Sequence, residues 1–234
     1  MSEKGLTVLR RLVKASALVV GVGLVAGCAV APLKMGAAAI LGSQRISVAT
    51  LDTEVTNLTQ AAKQYPGVVN LTQAQATQAT LTWLIRYQIQ DELAQQAGIT
   101  VSTAQAQAAL AEAYAGAKAN AAAQGLTNVT LNEVLAASGI PPNTAAEFGR
   151  FEAIETQFVK NANGGTLPTS SSSPAVTRFN HAQCTAAKDL DIQVSPQFGR
   201  LDYTQYAVVP APSIVSRAPG PAPTASPSGT APAC

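Results

Sequence analysis

Apolar residues through the middle of the chain recur at helical spacing. Leu51, Val55, Leu58, Ala62 and Tyr65 follow one another at steps of four, three, four and three, which sets them on one face of a first helix that Pro66-Gly67 ends. The longest pattern is "LTQAQATQATLTWLIRYQIQDELAQQAGI", with Leu81, Leu84, Ile85, Ile89 and Leu93 as an inward stripe and Gly98 where a helix C′ glycine belongs. Trp83 and Tyr87, four residues apart, lie beside that stripe, and the pattern leaves open whether they pack the core or line a groove for another chain. In the next segment Ser102 and Gln105 have the S-x-x-Q spacing of a capping box, and Ala106, Leu110, Ala113 and Ala117 give a shallow face of mainly small residues. "TLNEVLAASGI" predicts a short fourth helix stopped by Gly139, with a corner at Pro141-Pro142. Thr144 and Glu147 predict a second capping box, opening a fifth helix whose Phe148, Phe151, Ile154 and Phe158 share one face.

Strand signals flank this helical block. In "AAILGSQRISVAT" the Gly42-Ser43 dipeptide separates two short apolar runs, so Ala39 to Leu41 and Arg45 to Val48 read as a hairpin. A two-stranded ribbon is marginal alone and calls for another strand. "FNHAQCTAAKDLDIQVSPQFGRLDYTQYAVVP" supplies a short helix, a strand around Ile192 to Val194, a Pro-x-x-Gly turn and a strand near Tyr206 to Val209. The expected fold is therefore mostly α: about five to six helices with a small β-sheet formed by the N-terminal hairpin and one or more C-terminal strands. Composition marks the boundaries. A folded segment spans 39–163, a Gly/Ser/Pro linker 164–174, and a returning helix with strands 175–209. From 210 to 234 repeated Pro, Ala and Ser leave too little apolar surface to offset ordering entropy, so that tail is expected to be disordered.

The N-terminus has a different pattern. Lys4, Arg10, Arg11 and Lys14 precede an uncharged run of 13 residues from Ala15 to Gly27. That length suits an export signal, which needs roughly 7 to 15 apolar residues, and falls short of the roughly 20 that span a bilayer. Val25, Ala26, Gly27 and Cys28 close the run, and they resemble the lipobox of bacterial lipoproteins. The resemblance implies that residues 1–27 are a signal peptide cut before Cys28. The Cys28 thiol would carry a diacylglyceryl group and the new amine an acyl chain such as palmitate, with residues 28–38 as a lipidated tether. The expected location is extracytoplasmic, anchored by lipid to the membrane in the cell envelope.

Removing residues 1–27 changes the charge. The whole chain has 15 basic and 13 acidic residues; the signal takes four of the first and one of the second, which leaves 11 against 12. The mature chain is thus slightly acidic, and nucleic acid is not an expected partner. Of three cysteines, Cys184 and Cys234 then remain, and export permits a disulfide between them.

Three stretches in order carry a further resemblance: the strand pair "GSQRISVATLDTEV", the helix ending "ELAQQAGITVSTAQAQAAL", and "LAASGIPPNTAAEFGRFEAIETQF". Over about 120 residues they resemble the N-terminal chaperone domain of SurA-like and PrsA-like foldases. In that family Gly98 to Ser102 would link two helices, and the Gly139 to Pro142 corner would precede a helix with an Arg at Arg150's place. The returning segment would add a strand to the N-terminal ribbon, and "VSPQFGRLD" looks like exported actinobacterial relatives. A parvulin isomerase domain would lie between the fifth helix and the return, where this chain has only its linker.

Candidate chemistry is sparse. His181 is the only histidine, which excludes a multi-histidine metal site, and it reads as a surface residue on the returning helix. No G-x-S-x-G, S-x-x-K, Walker A or G-x-G-x-x-G sequence occurs. Glu152 with Glu155, and Asp189 with Asp191, are read as solvated faces; the N-x-T triplets at Asn57, Asn70 and Asn128 are read as coincidental in a lipoprotein. No catalysis, no cofactor beyond the lipid, no metal and no small-molecule substrate are expected. The expected function is holdase-like binding of unfolded or exported polypeptides, with Trp83, Tyr87, Phe148 and Phe151 lining an apolar groove. The alternatives are an isomerase-family foldase and a non-catalytic adaptor subunit of an envelope complex.

Overall fold

The computed structural model describes residues 36–65 and 69–211. The proposed signal peptide, Val25 to Cys28, most of the tether, Pro66-Gly67 and the tail from 212 onward lie outside the described residues. Described strands and helices follow in the order expected. Strand β1 (Ala37–Leu41) turns at Gly42-Ser43 into β2 (Gln44–Ser47), and Ser47 then caps helix α1 (Val48–Gln64) by accepting a hydrogen bond from the Thr50 amide at 2.9 Å. Strand β1 begins two residues before the expected boundary, because Ala37 and Ala38 are buried in the sheet and are not part of a tether.

Helices α2 (Gln73–Gln96) and α3 (Thr103–Ala123) each open on a complete capping box, Thr72 with Gln75 and Ser102 with Gln105. Gly98 has φ +65°; its amide donates to the Gln95 carbonyl and that of Ile99 to Ala94, the paired bonds of a Schellman stop. Helix α4 (Leu131–Ala137) has a third box, Thr130 with Glu133, which the hydrophobic pattern did not bring out. A 3-10 turn at Pro142–Thr144 leads into α5 (Ala145–Ala162).

The returning helix is longer than the short one expected. Helix α6 (Pro174–Asp189) has 16 residues, with Ser173 as N-cap and proline at its first position. Strand β3 (Gln193–Val194) pairs antiparallel with β1, Ala39 facing Val194 and Ile40 facing Gln193, so the sheet order is β2-β1-β3. The strand that the hairpin lacked therefore comes from the end of the described chain. Two further short strands, β4 (Arg200–Asp202) and β5 (Ala207–Val209), form a separate antiparallel pair; only the second was expected.

Helix α2 occupies the middle of the fold. Its Leu81, Ile85, Ile89 and Leu93 are buried with Leu51 and Leu58 of α1, Ile154 of α5, Phe179 of α6 and Leu201 and Val208 of the β4–β5 pair. Burying side chains of this size stabilises by about 1.5–3 kcal/mol each, which is why the central helix carries the branched aliphatics. Specific polar bonds then dock the return onto it. The Thr82 hydroxyl accepts from the Val208 amide at 2.8 Å, and the Arg86 guanidinium donates to the carbonyls of Gln205 and Tyr206 at 2.8 and 3.2 Å.

Candidate functional site

The four aromatic residues expected to line one surface are brought together where α2 meets α5. Trp83 and Tyr87 sit one turn apart on α2, and Phe148 and Phe151 sit one turn apart on α5, spacings that put each pair on one helix face. Trp83 meets both phenylalanines edge-on, with ring centroids 5.6 Å from Phe148 and 5.7 Å from Phe151; Phe148 and Phe151 stack at 6.4 Å. Tyr87 closes the group at 5.9 Å from Trp83 and 6.3 Å from Phe151. Edge-to-face contacts of this kind add about 0.5–1.5 kcal/mol per pair beyond area burial.

Exposure differs within the cluster. Tyr87 is only 7% exposed, whereas Trp83, Phe148 and Phe151 are half-buried. Polar anchors fix the two α2 members: the Trp83 indole N–H donates to the Ser138 carbonyl at 3.2 Å, and the Tyr87 hydroxyl shares a hydrogen bond with the Thr144 hydroxyl at 3.1 Å. Burial pushes the Tyr87 hydroxyl far above its ordinary pKa, so it stays protonated. The Arg86 guanidinium lies over the Trp83 ring, 5.0 Å from its centroid, and burial lowers its pKa from the usual value. One arginine thereby joins the aromatic cluster to the β4–β5 turn.

The Thr144 geometry corrects one expectation. Thr144 precedes α5, but its side chain makes no cap hydrogen bond; the hydroxyl instead bonds the Pro141 carbonyl at 2.9 Å and pairs with Tyr87. A buried hydroxyl left without a partner costs about 1–3 kcal/mol, and the Tyr87 hydroxyl is buried beside it, so the tertiary bond displaces the local cap. Glu147, freed from the box, is exposed and faces a groove.

That groove, of about 230 Å³, runs beside the cluster between β2, the start of α1, α2 and α5. Ile46, Tyr87 and Ile154 are buried in its lining, while Arg45, Thr50 and Glu147 are exposed at it. Asp91 and Arg150 also line it, and Arg150 Nε donates to Asp91 Oδ1 at 2.8 Å, with both side chains 43% exposed. A pair so open to solvent contributes about 0–1 kcal/mol, so it adds little to the packing of α5 against α2. The volume is below the roughly 300–1,000 Å³ typical of small-molecule sites.

Glu152 and Glu155 depart from the solvated face expected of them. Both are half-buried and line a cavity of about 270 Å³ that Leu167 to Ser171 of the linker also line. Burial, reinforced by the neighbouring Glu155 charge, pushes Glu152 up to about 7, and burial raises Glu155 as well. The other acidic pair does separate into solvent-facing roles: Asp189 accepts from Gln96 at 3.0 Å and Asp191 from Gln193 at 3.3 Å. His181 is exposed on α6. Among the described residues no group of three or more His, Cys, Asp or Glu side chains is placed to hold a metal ion. Among the same residues no helix is long and apolar enough to cross a membrane.

Two features here escaped the hydrophobic pattern. Strand β4 is too short for a periodic signal, but Asp202 Oδ1 accepts from both the amide and the hydroxyl of Thr204, at 2.8 and 2.6 Å, an Asx-type turn that the "LDYT" sequence could have disclosed. Gln90, 1% exposed, donates to the Phe151 carbonyl and accepts from Gln183, both at 3.4 Å, linking three helices. Nothing local distinguishes that glutamine from half-buried Gln88 on the same helix. No family model, no curated protein and no solved structure matches this chain.

Proposed function

We propose that this chain is a lipid-anchored, extracytoplasmic chaperone-like protein that holds unfolded or newly exported polypeptides without catalysing a reaction. The observation that carries the reading is the half-buried aromatic cluster of Trp83, Phe148 and Phe151 beside a groove with buried apolar and exposed charged lining. Half-exposed rings offer contact area that gains by leaving water, while exposed Arg45 and Glu147 keep the groove hydrated and its hold weak. Support for the anchor comes from Val25-Ala26-Gly27-Cys28 after a short charged and apolar leader. Diacylglyceryl plus acyl chains, at about 0.8 kcal/mol per buried CH₂, suffice for a stable hold.

The test is aggregation of a chemically unfolded client monitored by light scattering, with the mature protein at stoichiometric ratio. Slower aggregation, weakened in a Phe148→Ala variant that keeps its helical circular dichroism, supports the reading; no effect of the parent protein overturns it. Cys28→Ala is expected to abolish incorporation of labelled lipid and leave the precursor uncut, and normal processing of that variant refutes the anchor.

A further inference from the structure

Glu152 and Glu155 of α5 share their cavity with Leu167 to Ser171 of the linker and Val176 of α6. The two carboxyls lie on one helix at i, i+3 spacing, and among the described residues no lysine, arginine or histidine lines the same space. Both are half-buried, so charging the pair sets like charges side by side where water reaches them poorly. That state is relieved when the cavity opens to water.

Charged groups on the surrounding elements fall outside this lining. Arg86 of α2 lines a neighbouring cavity with Glu155, where its guanidinium is engaged by the Gln205 and Tyr206 carbonyls and the Trp83 ring. Glu112 of α3 and Lys160 of α5 line a third cavity together with Thr156. On α6, Arg178 donates to the Ala162 carbonyl and His181 is exposed.

Of the walls of the cavity, the linker moves at the least cost. Gly164 and Gly165 have φ of +70° and +98°, and a Cβ at either would meet nothing within 4 Å, so they form a hinge with open space around it. Hydrogen bonds of the linker are local: Asn163 Nδ2 donates to the Thr166 carbonyl at 3.0 Å and the Ser173 amide to the Ser170 carbonyl at 3.2 Å. Leu167, the one large apolar side chain of the segment, is 47% exposed, so little burial holds the segment down. We infer that residues 164–173 are an acid-closed strap, which lies against the cavity while the Glu152–Glu155 pair holds a proton and swings out on its glycine hinge when both carboxylates are charged.

Burial, reinforced by the Glu155 charge, raises Glu152 from its ordinary 4.5 to about 7 in the closed form. In the open form water reaches the carboxyls, and the proton is held less tightly. Opening therefore grows as pH climbs from 4.5 toward about 7, and levels off above that, where the closed form has lost the proton too.

Limited proteolysis of the full chain in detergent, with a protease that cuts before leucine, reads the strap at the Thr166–Leu167 bond. Cleavage needs several residues drawn into the protease, so its rate follows the open population when opening is fast. The pH profile of the protease itself cancels in the rate ratio of parent to Glu152→Gln, whose side chain stays neutral. That ratio is expected to rise about fivefold or more between about pH 5.5 and about pH 7, change little up to about pH 8, and come from cuts within 164–173 alone. The ratio of parent to Glu155→Gln should rise in the same direction, so either variant decides the matter if the other fails to fold. A ratio that stays constant with pH overturns the strap, as do cuts that spread at the same rate into α2, which would mark global unfolding. The rise should persist in a His181→Gln background; if it vanishes there, the titration belongs to His181 and the inference fails.

Discussion

Helices α2 and α3 begin alike and end up in opposite surroundings. Both open on a complete capping box, and they have 24 and 21 residues, yet α2 buries ten of its side chains and α3 none. The difference lies in side-chain size. Helix α2 offers Leu81, Ile85, Ile89 and Leu93 to neighbours on several sides, whereas α3 offers Ala106, Leu110, Ala113 and Ala117, each only partly buried. A face of small residues gains little from water exclusion and holds by close approach instead. That approach is visible at Gly149 of α5, where a Cβ would stand 2.5 Å from the Ala106 carbonyl oxygen and 3.0 Å from the Leu110 Cβ. Helix α5 thus turns Gly149 toward α3 and Phe148 and Phe151 toward α2. A cap sets where a helix starts, and the size of the residues on its face sets how deep it lies.

Truncations should expose this contrast most strongly. Leu93→Ala in α2 is expected to cost about 3 kcal/mol in denaturant unfolding, while Leu110→Ala in α3 costs less than about 1 kcal/mol. Equal losses would break the comparison. Gly149→Ala should destabilise by about 1–2 kcal/mol through displacement of α3, although alanine favours a helix by about 1 kcal/mol over glycine. A more stable Gly149→Ala protein would show that α3 does not dock through this contact.

Polar substitutions near the cluster should have smaller effects. A double-mutant cycle between Tyr87→Phe and Thr144→Val is expected to return a coupling of about 1 kcal/mol, and additive losses would show that the bond contributes nothing to stability. Glu152 gives the smallest and most pH-dependent effect. Its carboxyl, raised to about 7 by burial and the Glu155 charge, binds its proton more tightly folded than unfolded. Its favourable contribution is therefore complete below its ordinary carboxylate pKa and is lost as pH rises through about 7. Glu152→Gln stays neutral and should raise stability at about pH 8 by no more than about 1 kcal/mol, after allowance for solvent screening. Thermal melts should also show a flatter pH dependence for the variant; an unchanged slope would place the titration elsewhere.

What could be read from the chain before its structure follows one physical division. Ser102 with Gln105, Gly98 and Gly42-Ser43 mark helix ends and a turn because each acts through backbone groups within a few residues. The stripe on α2 and the pairing of Trp83 with Tyr87 and Phe148 with Phe151 follow from helical period alone, so the aromatic cluster was legible as two half-sites. The third strand of the sheet was legible as a need, since a lone ribbon is marginal, and β3 meets it.

Tertiary structure decided the matters in which distant groups compete for one partner or one surface. The Thr144 hydroxyl could cap α5 or pair with Tyr87, 57 residues away, and only the packed α2–α5 contact awards it to Tyr87. Glu152 and Glu155 have the sequence of a solvated face, and no local pattern encodes that a Ser-rich segment will line the same cavity. Arg86, an ordinary charge on a helix, becomes the tie between Trp83 and the β4–β5 turn because residues 205 and 206 return to it. Local hydrogen bonding and periodicity are properties of neighbours along the chain and so belong to the sequence. Burial and long-range polar pairing depend on which surfaces meet, and those exist only after the fold has formed.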